Sequence, residues 1–149
     1  MLAEYRRIVN ELNDAFNEFY VLSNKNAKKI DEYHLTFQQE VMMLYIMRNE
    51  RITANDIAAK FEITKSAVSQ VISKLEARHF IVRESNPSNR REFYIILGEE
   101  GHKYAELIKN LDETLIRKYY SQIDIADLQH MTQTMKKINE VIIEHKENE

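Results

Sequence analysis

TANDIAAKFEITKSAVSQVISKLEARHFIVRESNPSNRR, residues 53–91, is the stretch whose reading decides the fold. Thr53 is placed to cap a helix, with Asp56 near the positive end of its dipole and Ile57, Ala58 and Phe61 facing inward. Glu62-Ile63 makes a turn, and Thr64 caps a second helix. Val68, Ile72 and Leu75 follow the i, i+4, i+7 spacing of one buried face, flanked by Ala67 and Val71. His79 to Arg83 and Glu92 to Leu97 are β-rich runs. Between them lies ESNPSNRR, dense in turn formers and holding the only proline of the chain. The pattern is a helix-turn-helix followed by a β-hairpin wing.

The outward face of the second helix carries the chemistry. Lys65, Ser66, Ser69, Gln70, Ser73 and Lys74 include no carboxylate, whereas a solvated helix face ordinarily mixes Glu with Lys. A face lying between phosphate walls cannot hold carboxylates cheaply. Small hydroxyls permit close approach, and Gln pairs with adenine N6/N7 in the major groove. Arginine at a hairpin tip suits the narrow, negative minor groove. Charge is divided the same way. Between Arg51 and Arg91 stand eight Lys/Arg and four Asp/Glu; the rest of the chain has thirteen and twenty. The net charge of -3 therefore conceals a basic segment on an acidic body, an asymmetry that orients a protein on DNA.

Outside this stretch the chain reads as helix. Two glycines and one proline in 149 residues leave few breakers, so long helices are expected. Tyr5, Ile8, Leu12, Phe16 and Phe19 mark one face of a helix over residues 4–22, which the cluster Ser23-Asn24-Lys25-Asn26 ends or kinks. Residues 24–35 read as a polar connection, helical in part. Thr36-x-x-Gln39 fits a capping box, and the helix it opens, to about Arg48, is apolar almost all round and is expected to be central and buried. Tyr104, Leu107, Leu111, Leu115 and Tyr119 form one later stripe; a second follows Asp124 through Leu128, Met135, Ile138 and Ile142. Residues 145–149 are charged and expected to fray. These stripes exceed what a small winged helix covers, and burial against a second copy of the chain is the cheapest solution. A twofold dimer would place two reading helices about one DNA turn apart on a pseudo-palindromic site.

The same numbers exclude other classes. Without cysteine there is no disulfide, zinc-thiolate site or thiol redox sensor. The N-terminus lacks a signal-peptide core and the longest apolar run, residues 41–47, is too short to span a bilayer, so a cytoplasmic protein without a membrane partner is expected. His102 and Glu106 have i, i+4 spacing but no third ligand; they read as a surface pair, and no metal or cofactor is expected. No phosphate-binding glycine loop or clustered His/carboxylate set suggests an enzyme.

At LEARHFIVRESNPSNRREFYIILGEEG, residues 75–101, the chain resembles the MarR family of winged-helix transcriptional regulators, and the order of helices extends the likeness over nearly the full length. The resemblance implies a mainly α fold with a β-hairpin wing: a winged helix-turn-helix over 36–98 and a helical dimerisation region from 1–35 and 99–149. It implies a homodimeric regulator of double-stranded DNA, a repressor rather than an activator, the alternative being a winged-helix scaffold for protein interaction. Carried onto this chain, the DNA-binding residues are Thr64, Lys65, Ser66, Ser69, Gln70 and Lys74 on the recognition helix and Arg83, Arg90 and Arg91 on the wing. Arg91 falls on the minor-groove arginine. A small-molecule effector, as the family commonly senses, would lie among Tyr33, His34, Phe37 and Tyr104. Three positions depart from the family. Its wing aspartate is Asn89, which offers the arginine only a neutral hydrogen bond and is expected to leave Arg91 less fixed. Its glycine after the recognition helix is His79, a residue type ill suited to the sharp left-handed turn. Its threonine after the second wing strand is Gly98, which alters the cap of the next helix.

Overall fold

Four side-chain caps set the helix starts. Thr36 and Thr53 form reciprocal capping boxes with Gln39 and Asp56, opening α3 (Phe37–Arg48) and α4 (Ala54–Phe61). The Thr64 hydroxyl accepts the Ala67 N–H at 3.1 Å to open α5 (Lys65–Ala77). Asp124 accepts the Ala126 N–H at 2.9 Å to open α7 (Ile125–Lys146). The computed structural model describes residues 1–24 and 27–148. Its remaining elements are α1 (Leu2–Asn24), α2 (Lys28–Asp31), β1 (Ile52–Thr53), β2 (Ile81–Ser85), β3 (Phe93–Leu97), α6 (Glu99–Lys118) and a 3-10 turn (Tyr120–Gln122). The chain divides into two compact units, Met1–Ile108 and Lys109–Glu149. No helix of the described residues is long and apolar enough to cross a membrane.

The first unit contains the core. The sheet has the order β1-β3-β2, antiparallel throughout, with Ile52 opposite Ile95 and Arg83 also opposite Ile95 on the other side. Ile57 of α4, Val68, Ile72 and Leu75 of α5, and Ile81 and Ile95 of the sheet are all buried with Met42, Met43 and Ile46 of α3. The wing strands lie within two residues of their expected places. β1 is additional: Thr53 is at once its last residue and the cap of α4.

α3 is less enclosed than its composition suggests. Met42, Met43 and Ile46 are buried, but Phe37 is 80% exposed at its first turn and Val41, Leu44 and Met47 are half-buried. The apolar ring is interrupted because α3 meets the core along one face only. α1 buries no residue of its stripe in the single chain, and Met131, Met135, Ile138 and Ile142 of α7 are likewise exposed. The expected break after Ser23 coincides with the end of α1 at Asn24; Lys25 and Asn26 lie outside the described residues, as does the terminal Glu149. α7 stays helical through Lys146, so the charged tail is helical further than expected.

The junction from α5 into β2 keeps the left-handed turn without its glycine. His79 has φ 63°, and the Phe80 N–H donates to the Leu75 carbonyl at 3.0 Å. The next helix reaches this turn closely. A Cβ on Gly98 would stand 2.5 Å from the His79 carbonyl oxygen, and one on Gly101 would stand 2.0 Å from that of Phe80. Gly98 thus replaces a capping side chain with contact distance. Gly101→Ala is expected to destabilise the chain by about 3 kcal/mol, because backbone must move to admit the methyl. His79→Gly should instead stabilise by about 1 kcal/mol, by removing a Cβ from a left-handed residue. Urea midpoints of the two variants in opposite directions from the parent check both; a Gly101→Ala midpoint equal to the parent's would refute the close approach.

Candidate nucleic-acid interface

α5 presents Lys65, Ser66, Ser69, Gln70, Ser73 and Lys74 to solvent while Val68, Ile72 and Leu75 are buried beneath them. Thr64 is exposed too, but its hydroxyl is engaged in the cap. The nearest carboxylate on the helix, Glu76, does not stand free in this face. Its Oε2 accepts from Arg83 Nε at 3.2 Å, and Arg83 also reaches Ser73 Oγ at 3.5 Å. Arg83 is therefore a strut from β2 to α5. Both partners are more than a third exposed, so the pair contributes geometry more than stability.

Between α5 and the wing lies a cleft of about 380 Å³, lined by Lys65, Ser69, Arg83, Asn89, Arg91 and Glu92 together with the first turn of α4. Of the residues that the sequence reading singled out it brings together Lys65, Ser69, Arg83 and Arg91. Ser66, Gln70, Lys74 and Arg90 lie outside its lining, exposed on α5 and the wing tip. The tip is built by asparagines. Asn86 is buried, and its Oδ1 accepts the Ser88 N–H at 3.0 Å. Asn89 Oδ1 accepts the backbone N–H of Arg91 at 3.1 Å, and its carbonyl accepts the Glu92 N–H at 3.2 Å. Asn89 thus fixes the backbone of Arg91 rather than its guanidinium, which is exposed and meets no carboxylate among the described residues.

Two cleft residues were not singled out in the sequence. Asn55 Nδ2 donates to Glu92 Oε1 at 2.5 Å across 37 positions, tying the start of β3 to α4. Neither residue has a local pattern that marks it, since the contact exists only once the hairpin folds back.

Of the residues expected around an effector, Tyr33 and Tyr104 meet, with ring centroids 5.2 Å apart and edge-on, and Phe80 completes the cluster. Tyr104 is 2% exposed. His34 takes part through its backbone: its carbonyl and that of Tyr33 accept from the Arg78 guanidinium, which lies 5.0 Å over the Phe80 ring. Phe37 is elsewhere, beside Val41, Phe61 and Ile63. The cavity next to the aromatic cluster, about 530 Å³, is lined by Lys29, Glu32, Tyr33, Arg78, Phe80, Glu100 and Leu107; of the four residues expected around an effector it includes Tyr33 and not His34, Phe37 or Tyr104. Among the described residues no cluster of His, Cys, Asp and Glu is placed to hold a metal ion.

Burial, then the negative charge of Glu40 and Tyr33, pushes the Tyr104 hydroxyl from 10.0 up to about 12. The sign follows directly. Below the ordinary tyrosine range both folded and unfolded chains hold the proton and the fold keeps its full advantage. As pH rises from 10.0 through about 12 the unfolded chain ionises first and stability falls. Tyr104→Phe retains the ring and removes the proton. Its melting temperature should decline less than the parent's between about pH 9 and 11, measured by circular dichroism. Parallel decline of the two would contradict the burial of this hydroxyl.

The comparisons with known proteins agree with this geometry. A family model described as the MarR family matches residues 35–92. The HTH-type transcriptional regulator BilQ of Clostridioides difficile is 27% identical over 135 residues, covering 84% of this chain and 91% of its own. SarZ of Staphylococcus saprophyticus, also an HTH-type transcriptional regulator, is 23% identical over 72% of this chain and 77% of its own. Among solved structures, Streptococcus pneumoniae FabT in complex with DNA superposes with a TM-score of 0.75 at 17% identity, covering 94% of this chain and 98% of FabT. The Staphylococcus aureus MepR–DNA complex gives 0.63 at 21% identity, covering 87% and 96%. At these identities the structural likeness establishes the fold.

Proposed function

We propose that the chain, whose residues 35–92 match a model of the MarR family, is a homodimeric, sequence-specific DNA-binding transcriptional regulator, a repressor, acting in the cytoplasm on a pseudo-palindromic operator. One observation carries the reading: a recognition helix whose exposed residues from Lys65 to Lys74 include no carboxylate, set beside a wing tip with two exposed arginines. BilQ and SarZ are named transcriptional regulators, and FabT and MepR were solved on DNA, which supports the same reading.

In this proposal Ser66, Ser69 and Gln70 face base edges in the major groove. Lys65, Lys74 and Arg90 meet phosphates, and Arg91 enters the minor groove. Phosphate contacts supply most of the affinity and a steep salt dependence; base contacts supply discrimination. Arg83, which lines the cleft, contributes by bracing β2 on α5 through Glu76 and Ser73. The exposed stripes of α1 and α7 are covered by a second copy, so that residues 1–35 and 99–149 form the dimerisation region and 36–98 the reading head. An effector is proposed at the cavity lined by Tyr33 and Phe80, both of which pack on the buried Tyr104 ring.

The test is selection of bound fragments from a random-sequence duplex library by the purified chain. Recovery of a pseudo-palindrome is expected. Recovery of nothing above background would sink the proposal and favour a protein-interaction scaffold. On the recovered duplex, Arg91→Ala should weaken binding at least tenfold while sedimentation still reports a dimer, an effect of about 1.4 kcal/mol or more. Gln70→Ala should relax preference at one position of each half-site by about 1–3 kcal/mol. An unchanged selection profile for Gln70→Ala would remove it from the base-reading set.

A further inference from the structure

The wing arginine lacks the carboxylate that would hold its guanidinium, yet the residue after it is tied down. Glu92 takes its backbone N–H to the Asn89 carbonyl at 3.2 Å and its side chain to Asn55 Nδ2 at 2.5 Å. Asn55 lies in the first turn of α4, where the positive end of the helix dipole favours an approaching carboxylate. Both side chains are half-buried in the cleft that also holds Lys65, Ser69 and Arg91. The peptide unit of Arg91 is therefore held on both sides: by Asn89 Oδ1 on its own N–H, and by the Asn55–Glu92 bond immediately after it.

We propose that Asn55 and Glu92 form a latch that fixes the reach and direction of Arg91, and that Asn55 is a positioning residue for minor-groove binding. The proposal rests on the DNA-binding reading above. The physical case is the placement of a carboxylate in a cleft meant for phosphate. A free Glu92 would repel the backbone of a duplex lying there. Bound to Asn55, its charge is drawn against α4, and its fixed position spares part of the entropy of ordering the wing on binding. The latch acts on Arg91 through the chain, since Arg91 is the adjacent residue. Loss of the latch thus costs more affinity while Arg91 is present to be positioned than when it is absent, where only the repulsion by the freed carboxylate remains.

Asn55→Asp sets two carboxylates against each other and opens the latch, while a carboxylate in the first turn of α4 leaves helix formation intact. Adding Glu92→Gln to Asn55→Asp restores one hydrogen bond with donor and acceptor exchanged. Two measurements on the full-length chain decide the matter. The first needs no DNA: hydrogen exchange of the Arg91 and Glu92 amides, both bonded to Asn89. Asn55→Asp should speed their exchange about tenfold, with the Phe80 amide unchanged and the double variant back near the parent. Equal exchange in parent and Asn55→Asp overturns the latch. The second uses the duplex recovered by the parent chain from the random library. Asn55→Asp should bind it about tenfold more weakly, the double variant within about threefold of the parent. In an Arg91→Ala background, Asn55→Asp should cost about threefold or less, the share due to the freed carboxylates alone. A tenfold further loss in that background overturns the assignment to Arg91. If the parent recovers no duplex, the DNA-binding reading falls, and the latch stands or falls on exchange alone.

Discussion

The approach of α6 to the carbonyls of His79 and Phe80 is the constraint on which the reading head depends. Three elements meet at these two peptide groups. The Phe80 N–H closes the end of α5 on Leu75. The Phe80 carbonyl accepts from Gly98, where β3 ends, and the His79 carbonyl accepts from Glu100, where α6 begins. A left-handed residue at position 79 is what allows α5 to stop and β2 to leave in the required direction. Glycine is needed at 98 and 101 for a different reason, since neither has a positive φ: the backbone of α6 must come nearer to these carbonyls than a Cβ permits. The pitch of the wing relative to the recognition helix is consequently decided in the core. The Phe80 ring, packed edge-on against Tyr33 and Tyr104, anchors the same peptide groups from the other side.

Carboxylates near the candidate interface are managed one by one. Glu76 is engaged by Arg83, and Glu92 by Asn55. The Glu92 bond costs the cleft no positive charge, because Asn55 is neutral, and the Glu76 bond offsets that of Arg83 alone. Each also crosses between secondary elements, from α5 to β2 and from α4 to the start of β3. The groups that would oppose phosphate are thus converted into ties that hold helix and hairpin together. A simple count of charges along the segment captures the +4 excess of basic groups but not this conversion, which changes where the negative charge points.

Much of the fold was legible because it depends on local chemistry. Thr36, Thr53, Thr64 and Asp124 announce their helices, since a cap acts within three residues. The buried stripe of α5 and the two wing runs follow from periods of 3.6 and 2. β1 was not legible, because two residues are too few to show alternation and Thr53 already served as a cap. The enclosure of α3 was overstated, since hydropathy gives the composition of a helix surface but not how many sides have neighbours. Phe37, expected near Tyr33 and Tyr104, faces Phe61 and Ile63 instead, because it sits on the first turn of α3 away from that cluster. His79 shows that a left-handed turn survives loss of its usual residue when Leu75, Gly98 and Glu100 all bond to the adjoining peptide groups. Asn55–Glu92 was beyond reach, since its partners are distant in sequence and carry no periodic signal.

Asn89 illustrates how a substitution changes the means of organising a site. An aspartate beside an arginine holds it by charge, and in doing so neutralises the group proposed to meet DNA. Asn89 retains the turn, because its Oδ1 needs only an N–H donor and finds that of Arg91. The guanidinium keeps its full charge and its conformational freedom. These consequences oppose each other. An uncompensated arginine strengthens attraction to the minor groove and contributes fully to counterion release. An unfixed one must be ordered on binding, at a cost of about 1 kcal/mol. A wing whose backbone is fixed at residues 89 and 92 limits that cost to the side chain itself. Backbone order therefore replaces ion pairing as the source of preorganisation, and the tip is left more positive than an aspartate would leave it.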